Sequence, residues 1–307
     1  MGRVKAAARN IIFGYIGNLT TQLLGFVLRT IFIRHLGQTL NGVNALYTGI
    51  LSVLSMAELG IGTALNYSLY KPVIHKDYEK IKSYMLLYKK AYRMIGFVVA
   101  GIGLVIVPFL PYLVKQPEGV TLRDLTLYYL IFLFNTVSSY FVAYKYSLVN
   151  AEQKNYIQTN IITVTKMITV TLQIIVILTT GNFYAYLLTA ATVELLQKIF
   201  VSRYLNNMYP YLKEKDIKPL TKEEVGEVVK KTKALVLHKV GDVARLQTDA
   251  MIISGFINVT LSGIVDNYNL VISSVSNFVN IIFNSVLSSF GNLIATESRQ
   301  KQYEIFK

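Results

Sequence analysis

The chain has 307 residues, of which 53% are hydrophobic and 16% are charged, and its mean hydropathy is +0.43. Soluble domains are about a quarter charged, so this composition excludes an ordinary soluble protein and indicates an integral membrane protein. The net charge is +14, but the Lys and Arg residues flank apolar stretches, which favours an anionic membrane surface over nucleic acid as partner.

Apolar stretches long enough to cross about 30 Å of hydrocarbon predict an all-α, polytopic bundle with about eight transmembrane helices. The predicted spans are residues 11–33, 43–70, 94–114, 124–147, 157–180, 183–202, 233–256 and 264–291. These spans define a six-helix N-terminal lobe (1–207), a cytoplasmic linker (208–232) and the first two helices of an incomplete second lobe (233–307).

Two polar segments between the spans carry helical patterns of their own. Residues 76–93 place apolar side chains on one helical face beside several lysines, which predicts an interfacial helix on the membrane surface. In the linker, Thr221 and Glu224 have capping-box spacing, so a short amphipathic helix is expected to begin there.

Basic residues are distributed unequally between the two sides of this topology. One side receives 23 Lys and Arg residues, including both termini, and the other side receives three. Basic loops stay in the cytoplasm, so both termini are predicted to be cytoplasmic.

Two spans carry matched stripes of polar side chains, at relative positions 0, 4, 7 and 11, which share one helical face. The stripe residues of the first and seventh spans are Asn18, Gln22, Gly25 and Arg29, and His238, Asp242, Arg245 and Asp249. Charged residues inside a membrane are costly and mark functional sites, so both stripes are predicted to face a wet cavity or a protein partner.

Other spans add polar residues to the predicted cavity. The second span contributes Glu58, the fifth Lys166, and the eighth Asn277, Asn280 and Asn284. Arg29, Lys166 and Arg245 form a cationic set suited to phosphate, whereas Glu194 and Lys198 are interpreted as a structural pair. Any single Asn, Ser or Thr also has the alternative role of holding neighbouring helices together.

Motifs of common enzyme classes are absent from the sequence, since it contains no HExxH, no GxxxxGK and no GxSxG. With no cysteine, thiolate metal sites and thiol nucleophiles are excluded. The sequence therefore predicts a protein without enzymatic activity, metal or organic cofactor.

Several stretches resemble the polysaccharide branch of the multidrug/oligosaccharidyl-lipid/polysaccharide exporter superfamily. They include Arg29-Thr-Ile-Phe-Ile-Arg34-His-Leu-Gly37, Ala57-Glu58-Leu-Gly-Ile-Gly62-Thr-Ala64 and Thr248-Asp249. Members of this family are similar in having a six-helix lobe, a polar linker and a second lobe, with more helices than this chain contains. The resemblance therefore implies a C-terminally truncated member.

The resemblance implies the function, which is flipping of an undecaprenyl-diphosphate-linked oligosaccharide across a bacterial cytoplasmic membrane for polysaccharide export. Arg29 and Arg245, with Lys166, are expected to hold the diphosphate, while Asp249 and His238 are candidates for ion coupling, to protons or sodium, or for organising the seventh helix. The implied partners are the polyprenyl-linked sugar, membrane lipids and polysaccharide-assembly proteins, with no nucleic acid.

The alternatives are a drug/cation antiporter of the same superfamily, a membrane glycosyltransferase or polymerase, and a non-transporting fragment. An antiporter is expected to have an acid-dominated first lobe, and a glycosyltransferase a catalytic carboxylate cluster in a large outer loop. The predicted outer loops are short, and the cationic stripes favour the flippase.

Overall fold

The protein is an all-α, polytopic membrane bundle in the computed structural model, which describes residues 3–58, 61–114, 120–214 and 217–276. Side chains at 3–11, 56–57, 61, 63–66 and 234–247 lie outside this description. The helices are α1 (Arg3–Leu54), α2 (Ile61–His75), α3 (Tyr78–Ile106), α4 (Leu110–Leu113), α5 (Leu122–Ala151), α6 (Asn155–Thr180), α7 (Phe183–Met208) and α8 (Lys222–Ile252). A further helix, α9, begins at 259 and is described to 276.

Most helix boundaries follow from local capping chemistry. Thr121 and Thr221 each form a capping box, with Asp124 and Glu224 respectively, and so begin α5 and α8. Gly181 ends α6 with φ of 57°, a left-handed conformation that glycine adopts without steric cost. The predicted capping box at Thr221 is therefore confirmed.

The first two predicted spans are joined in α1, which Gly37 divides into two arms. Gly37 has φ of 86° and ψ of 165°, values that are not helical. The second predicted span, 43–70, is interrupted, because a 3-10 turn follows α1 at Ser55–Glu58 and α2 begins at Ile61. The predicted fourth, fifth and sixth spans correspond to α5, α6 and α7.

The predicted interfacial helix at 76–93 is wrong as a separate element, because α3 runs unbroken from Tyr78 to Ile106. Its apolar side chains Ile81, Met85 and Tyr88 are at most 3% exposed and pack inside the protein instead of facing lipid. The short helix expected in the linker is likewise part of α8, which continues from Lys222 into the seventh predicted span.

Within the described residues, five helical segments are long and apolar enough to cross a membrane. They are Ile12–Leu54, Tyr78–Leu113, Leu122–Ala151, Asn155–Thr180 and Phe183–Met208. Large apolar side chains remain exposed on their outer faces, for example Phe97 at 68% and Leu196 at 60%. An exposed apolar surface of this kind is suited to lipid.

Tyrosines fill much of the core and satisfy their hydroxyls on backbone carbonyls. Tyr47 donates to the Leu125 carbonyl (2.8 Å), Tyr129 donates to the Gly103 carbonyl (3.0 Å), and the two rings make an edge contact at 5.5 Å. These bonds fasten α1, α3 and α5 to one another.

The chain divides into two compact units, 1–264 and 265–307, and the site below lies in the first.

Candidate functional site: an intramembrane polar cluster

The first arm of α1 presents three different faces. Residues turn by about 100° each along a helix, so Leu24, Leu28 and Phe32 share one face, which packs in the protein. A second face, including Ile16, Leu19, Leu23 and Val27, is apolar and exposed. The predicted polar stripe forms the third face, which is exposed at Asn18 and partly buried at Gln22, Gly25 and Arg29.

Arg29 of this stripe is held by the second arm of α1. Its guanidinium donates to the side-chain oxygen of Asn41, and the Asn41 amide donates to the Gly263 carbonyl at 2.9 Å. On a straight helix, residues 29 and 41 would be about 18 Å apart. The bond therefore depends on the bend at Gly37, which turns the second arm back toward Arg29.

Lys166 of α6 lies beside the stripe. It interacts electrostatically with Glu194 and with Arg29, and among the described side chains it makes no hydrogen bond. Thr169, one turn further along α6, is 4% exposed, and its hydroxyl has no partner within the described part of the chain. Gln173 follows on the same face and donates to the Tyr186 carbonyl at 3.3 Å.

Glu194 and Lys198 connect this region to α5. The Lys198 ammonium donates to the Asn135 carbonyl (2.9 Å), the Asn135 side-chain oxygen (2.7 Å) and the Ser138 hydroxyl (2.9 Å). The Asn135 amide in turn donates to the Glu194 carboxylate at 2.6 Å. Glu194 and Lys198 are 3.9 Å apart, so the pair acts chiefly by linking α7 to α5.

We call Arg29, Lys166, Glu194, Lys198 and Asn135 the polar cluster. It contains three cations and one carboxylate, and Lys198 is satisfied by Asn135 and Ser138. Coulomb interactions strengthen as the local dielectric falls, and the polar cluster has an excess of two positive charges, an arrangement suited to an anion. An Arg offers several donors in one plane and a Lys offers a compact charge, which together suit a phosphate group.

The other predicted site residues of the N-terminal lobe are dispersed. Asn18 is exposed, whereas the side-chain oxygen of Gln22 is buried and has no partner among the described atoms. Glu58 lies in the turn after α1 and interacts with the Tyr92 hydroxyl of α3. The structure therefore does not bring Glu58 into the polar cluster.

The predicted stripe of the seventh span lies on α8, which is a continuous helix through this region. Asp249 is exposed near the end of α8. The side chains of His238, Asp242 and Arg245 lie outside the described residues, as do Asn277, Asn280 and Asn284. In the described residues, no group of three His, Asp or Glu side chains is arranged to hold a metal ion.

Asn41 and Asn135 were missed as site residues by the sequence reasoning. Asn135 is a single amide within an apolar span, and its position one turn before Ser138 and Ser139 was the available signal. Asn41 gives no periodic signal, because it reaches Arg29 through the bend at Gly37 and not through the spacing of one helix.

The second arm of α1 also makes a very close backbone contact with residues 259–263. A Cβ atom on Gly42 would lie 1.8 Å from the Val259 carbonyl oxygen, and one on Gly263 would lie 2.6 Å from the Gly42 nitrogen. The hydroxyls of Thr39 and Thr260 are 3.1 Å apart at the same place. Only glycine permits this approach, and through Asn41 it is linked to Arg29.

No protein-family model and no curated protein sequence matches the chain. Among solved structures, the chain is similar to a crystal structure of MATE in the straight conformation, with 16% identity and a TM-score of 0.53. The similarity covers 83% of this chain and 58% of that one, so the chain spans somewhat more than half the length of its structural neighbour. The protein therefore has a MATE-like, all-α membrane fold.

Proposed function

We propose that this chain contributes the anion-binding lobe of an alternating-access flippase, which moves an undecaprenyl-diphosphate-linked oligosaccharide across the membrane. The observation that carries the proposal is the position of Lys166, close to Arg29 and without a hydrogen bond among the described residues. A lysine inside a bilayer is costly, and a phosphate ligand gives it a charge-assisted partner.

A diphosphate needs nearby cations in such a site, because burying an unpaired anion in a medium of low dielectric is severely unfavourable. Arg29 and Lys166 supply charge from two different helices, α1 and α6. Arg245 is proposed as a third contact, with Asp242 and the asparagines 277, 280 and 284 as proposed lining residues.

A drug/cation antiporter is the second candidate, since it belongs to the same superfamily. An organic cation requires carboxylates, whereas the polar cluster has three cations to one carboxylate. That charge ratio favours the anionic substrate. Asp249 and His238 are retained as proposed sites for coupling to protons or sodium.

The chain spans 58% of its structural neighbour, so the transport activity is proposed for the whole architecture to which these helices belong. Within that architecture, residues 1–207 form the proposed first lobe, 208–232 the linker and 233–307 the beginning of the second lobe. Both termini are proposed to lie in the cytoplasm of a bacterial cell, following the excess of Lys and Arg on that side.

The test is direct binding to the chain in phosphatidylcholine nanodiscs. We expect the wild type to bind an undecaprenyl-diphosphate-linked disaccharide more tightly than tetraphenylphosphonium. Lys166→Gln should weaken binding of the diphosphate about tenfold to a hundredfold, because a hydrogen bond to a charged group contributes about 1.5–3 kcal/mol. Lys166→Arg should retain part of the affinity.

Lys90→Gln is the matched control, because Lys90 is an exposed lysine of α3 outside the polar cluster. It should leave the affinity for the diphosphate unchanged. Equal affinity of wild type and Lys166→Gln would contradict the phosphate site. Preference for tetraphenylphosphonium would favour the antiporter, and failure to bind either compound would favour a non-transporting fragment.

A further inference from the structure

A basic pocket of about 630 Å³ lies away from the polar cluster, at the end of the bundle that carries most of the Lys and Arg residues. We call this cavity the basic pocket. Its lining includes five cationic side chains and one carboxylate: Lys82, Lys89, Arg93, Lys145, Lys213 and Glu214. These residues come from α3, α5 and the segment that follows α7, so the pocket is formed by the folded lobe and not by one helix.

Two of the lysines are buried in its walls. Lys82 is 3% exposed and its charge is balanced by Glu79 at 2.5 Å and Glu214 at 2.6 Å. Lys145 is 7% exposed, but its partners are uncharged: the Ser202 hydroxyl (2.8 Å), the Ser202 carbonyl (3.2 Å) and the Asn206 side-chain oxygen (2.8 Å). The charge of Lys145 is thus held in place without being neutralised.

The uncompensated cations are close enough to affect one another. Lys89 acts electrostatically on Lys145, and Arg93, on the same face of α3 as Lys89, acts on Tyr144 beside Lys145. Like charges that are gathered around a cavity destabilise each other, and a bound anion relieves that repulsion. The basic pocket is therefore suited to a phosphate group.

An apolar groove of about 660 Å³ continues from this pocket along the bundle. Phe141 and Ser202 line both the groove and the pocket. The rest of the groove is formed mainly by Leu, Ile, Val and Phe side chains of α3, α5 and α7, with Lys198 at its inner wall. From Leu130 in the groove to Lys145 in the pocket, α5 rises about 22 Å, more than half of a bilayer core of about 30 Å.

The length of α3 places the pocket at the membrane surface. Its 29 residues extend about 44 Å, which exceeds the hydrocarbon thickness. The charged residues of α3 all precede Met94, and the apolar remainder continues to Ile106. Lys89 and Arg93 therefore lie at headgroup depth, while the groove lies at the depth of the acyl chains.

We infer that an anionic membrane phospholipid binds here, with its headgroup phosphate in the basic pocket and one acyl chain in the apolar groove. A soluble phosphate would use the pocket alone, and a zwitterionic lipid would gain less from the excess of cations, because its own ammonium group is repelled by them. This site uses neither Arg29 nor Lys166, the proposed diphosphate ligands, although its groove touches the polar cluster at Lys198. It stands whether or not the chain binds a lipid-linked sugar.

The test compares lipid binding to the chain in nanodiscs that contain phosphatidylglycerol and phosphatidylcholine, using native mass spectrometry to count retained lipids. The wild type should retain phosphatidylglycerol in preference to phosphatidylcholine. Lys89→Gln combined with Arg93→Gln should reduce this preference on the order of tenfold, since both cations line the pocket and a hydrogen bond between charged groups is stronger than a neutral one. Both side chains lie at the rim, so folding should be retained.

A second variant tests the groove. Ala100→Phe places a ring in the groove and should also reduce phosphatidylglycerol retention. Gly101→Phe adds the same ring where a Cβ atom meets open space, and Lys90→Gln removes an exposed charge outside the pocket; neither control should change retention. Equal retention of the two lipids by the wild type would overturn the site. If the charge variant loses the preference for phosphatidylglycerol and Ala100→Phe keeps it, the pocket binds a phosphate without an acyl chain in the groove. That result would overturn the proposal of a bound phospholipid.

Discussion

Gly37 determines where Arg29 and Asn41 meet. With φ of 86° and ψ of 165°, it occupies a region of backbone space that is essentially restricted to glycine. Space is not the limiting factor, because a Cβ atom there would have no neighbour within 4 Å. The requirement for glycine is therefore one of backbone conformation, and the position of Arg29 in the polar cluster depends on it.

Replacement of Gly37 should therefore destabilise the protein through strain alone. We expect Gly37→Ala to lower the free energy of unfolding by about 1–3 kcal/mol, measured by thermal unfolding in detergent. Gly101 is the matched control, because a Cβ atom there also meets open space, while its backbone is helical. Gly101→Ala should be neutral or stabilising by about 0.5–1 kcal/mol. Equal effects of both changes on the free energy of unfolding would show that a side chain at position 37 does not strain the backbone.

At the scale of residues, periodicity predicted which side chains of the first arm of α1 share a face. The spacing of Asn18, Gln22 and Arg29 correctly indicated a shared helical face, because α1 is regular before Gly37. The partner of Arg29 was not predictable in this way, since Asn41 approaches it through a change of chain direction. Glu58 was assigned to the cavity from a helical pattern, and the turn at Ser55–Glu58 instead directs it toward Tyr92.

At the scale of elements, the linker is fastened to α3. The Ser83 hydroxyl donates to the Lys218 carbonyl at 2.5 Å, and Lys82 pairs with Glu214 at 2.6 Å. Lys80 forms an ion pair with Glu224 in the first turn of α8. α3 packs mainly against α5 and α2, and this packing buries the α3 face that the sequence assigned to lipid. Hydrophobic periodicity identifies an apolar face but does not distinguish lipid from protein as its neighbour.

The ion pair gives this attachment a pH dependence. The hydrogen bond from Lys80 lowers the pKa of Glu224 from its ordinary value of 4.5. A carboxylate with a lowered pKa stabilises the folded state fully above its unfolded pKa, and the stabilisation is lost as the pH falls through the folded pKa. The contribution of the pair is therefore present at neutral pH and disappears below about pH 4.5.

Glu224→Gln removes the charge and keeps a residue that is able to complete the capping box. We expect it to lower stability at pH 7 by about 0.5 kcal/mol, a value typical of exposed ion pairs, and we expect this difference to shrink as the pH falls below 4.5. Unfolding curves of both proteins across this range provide the measurement. Glu227→Gln is the control, since its contact with Lys231 is longer, 3.9 Å, and exposed. A constant difference between wild type and Glu224→Gln at all pH values would contradict the assignment.

At the scale of the whole molecule, composition and hydropathy were sufficient to predict a polytopic helical membrane protein. They also located α5, α6 and α7 to within a few residues, because long apolar runs with capping residues at their ends leave few alternatives. The joining of predicted elements in α1, α3 and α8 was not predicted. Polar residues lower the hydropathy of these regions, but the helix continues through them because contacts within the protein satisfy their polar groups.

The contact of α1 with residues 259–263 is the place where a change of state would act on the whole molecule. It joins two segments that are more than 200 residues apart in sequence, through Asn41 and Gly263 and through Thr39 and Thr260. Because Asn41 also binds Arg29, a ligand that draws Arg29 away leaves Asn41 without one of its partners. For the proposed alternating-access cycle, we expect this contact to separate.

This contact can be trapped and broken with single changes. The chain has no cysteine, so Thr39→Cys with Thr260→Cys introduces the only pair of thiols, at positions whose hydroxyls are 3.1 Å apart. Mild oxidation should form a disulfide, which is measured as the loss of both thiols that a maleimide mass tag can label. Reduction of the disulfide should restore labelling of both thiols. Adding Gly42→Val should greatly reduce this cross-link, because its Cβ atom would lie 1.8 Å from the Val259 carbonyl oxygen and must force the segments apart. Gly14→Val, where a Cβ atom has no neighbour within 4 Å, should cross-link like the parent pair. Unchanged cross-linking with Gly42→Val would show that the close approach of the two segments does not depend on this glycine.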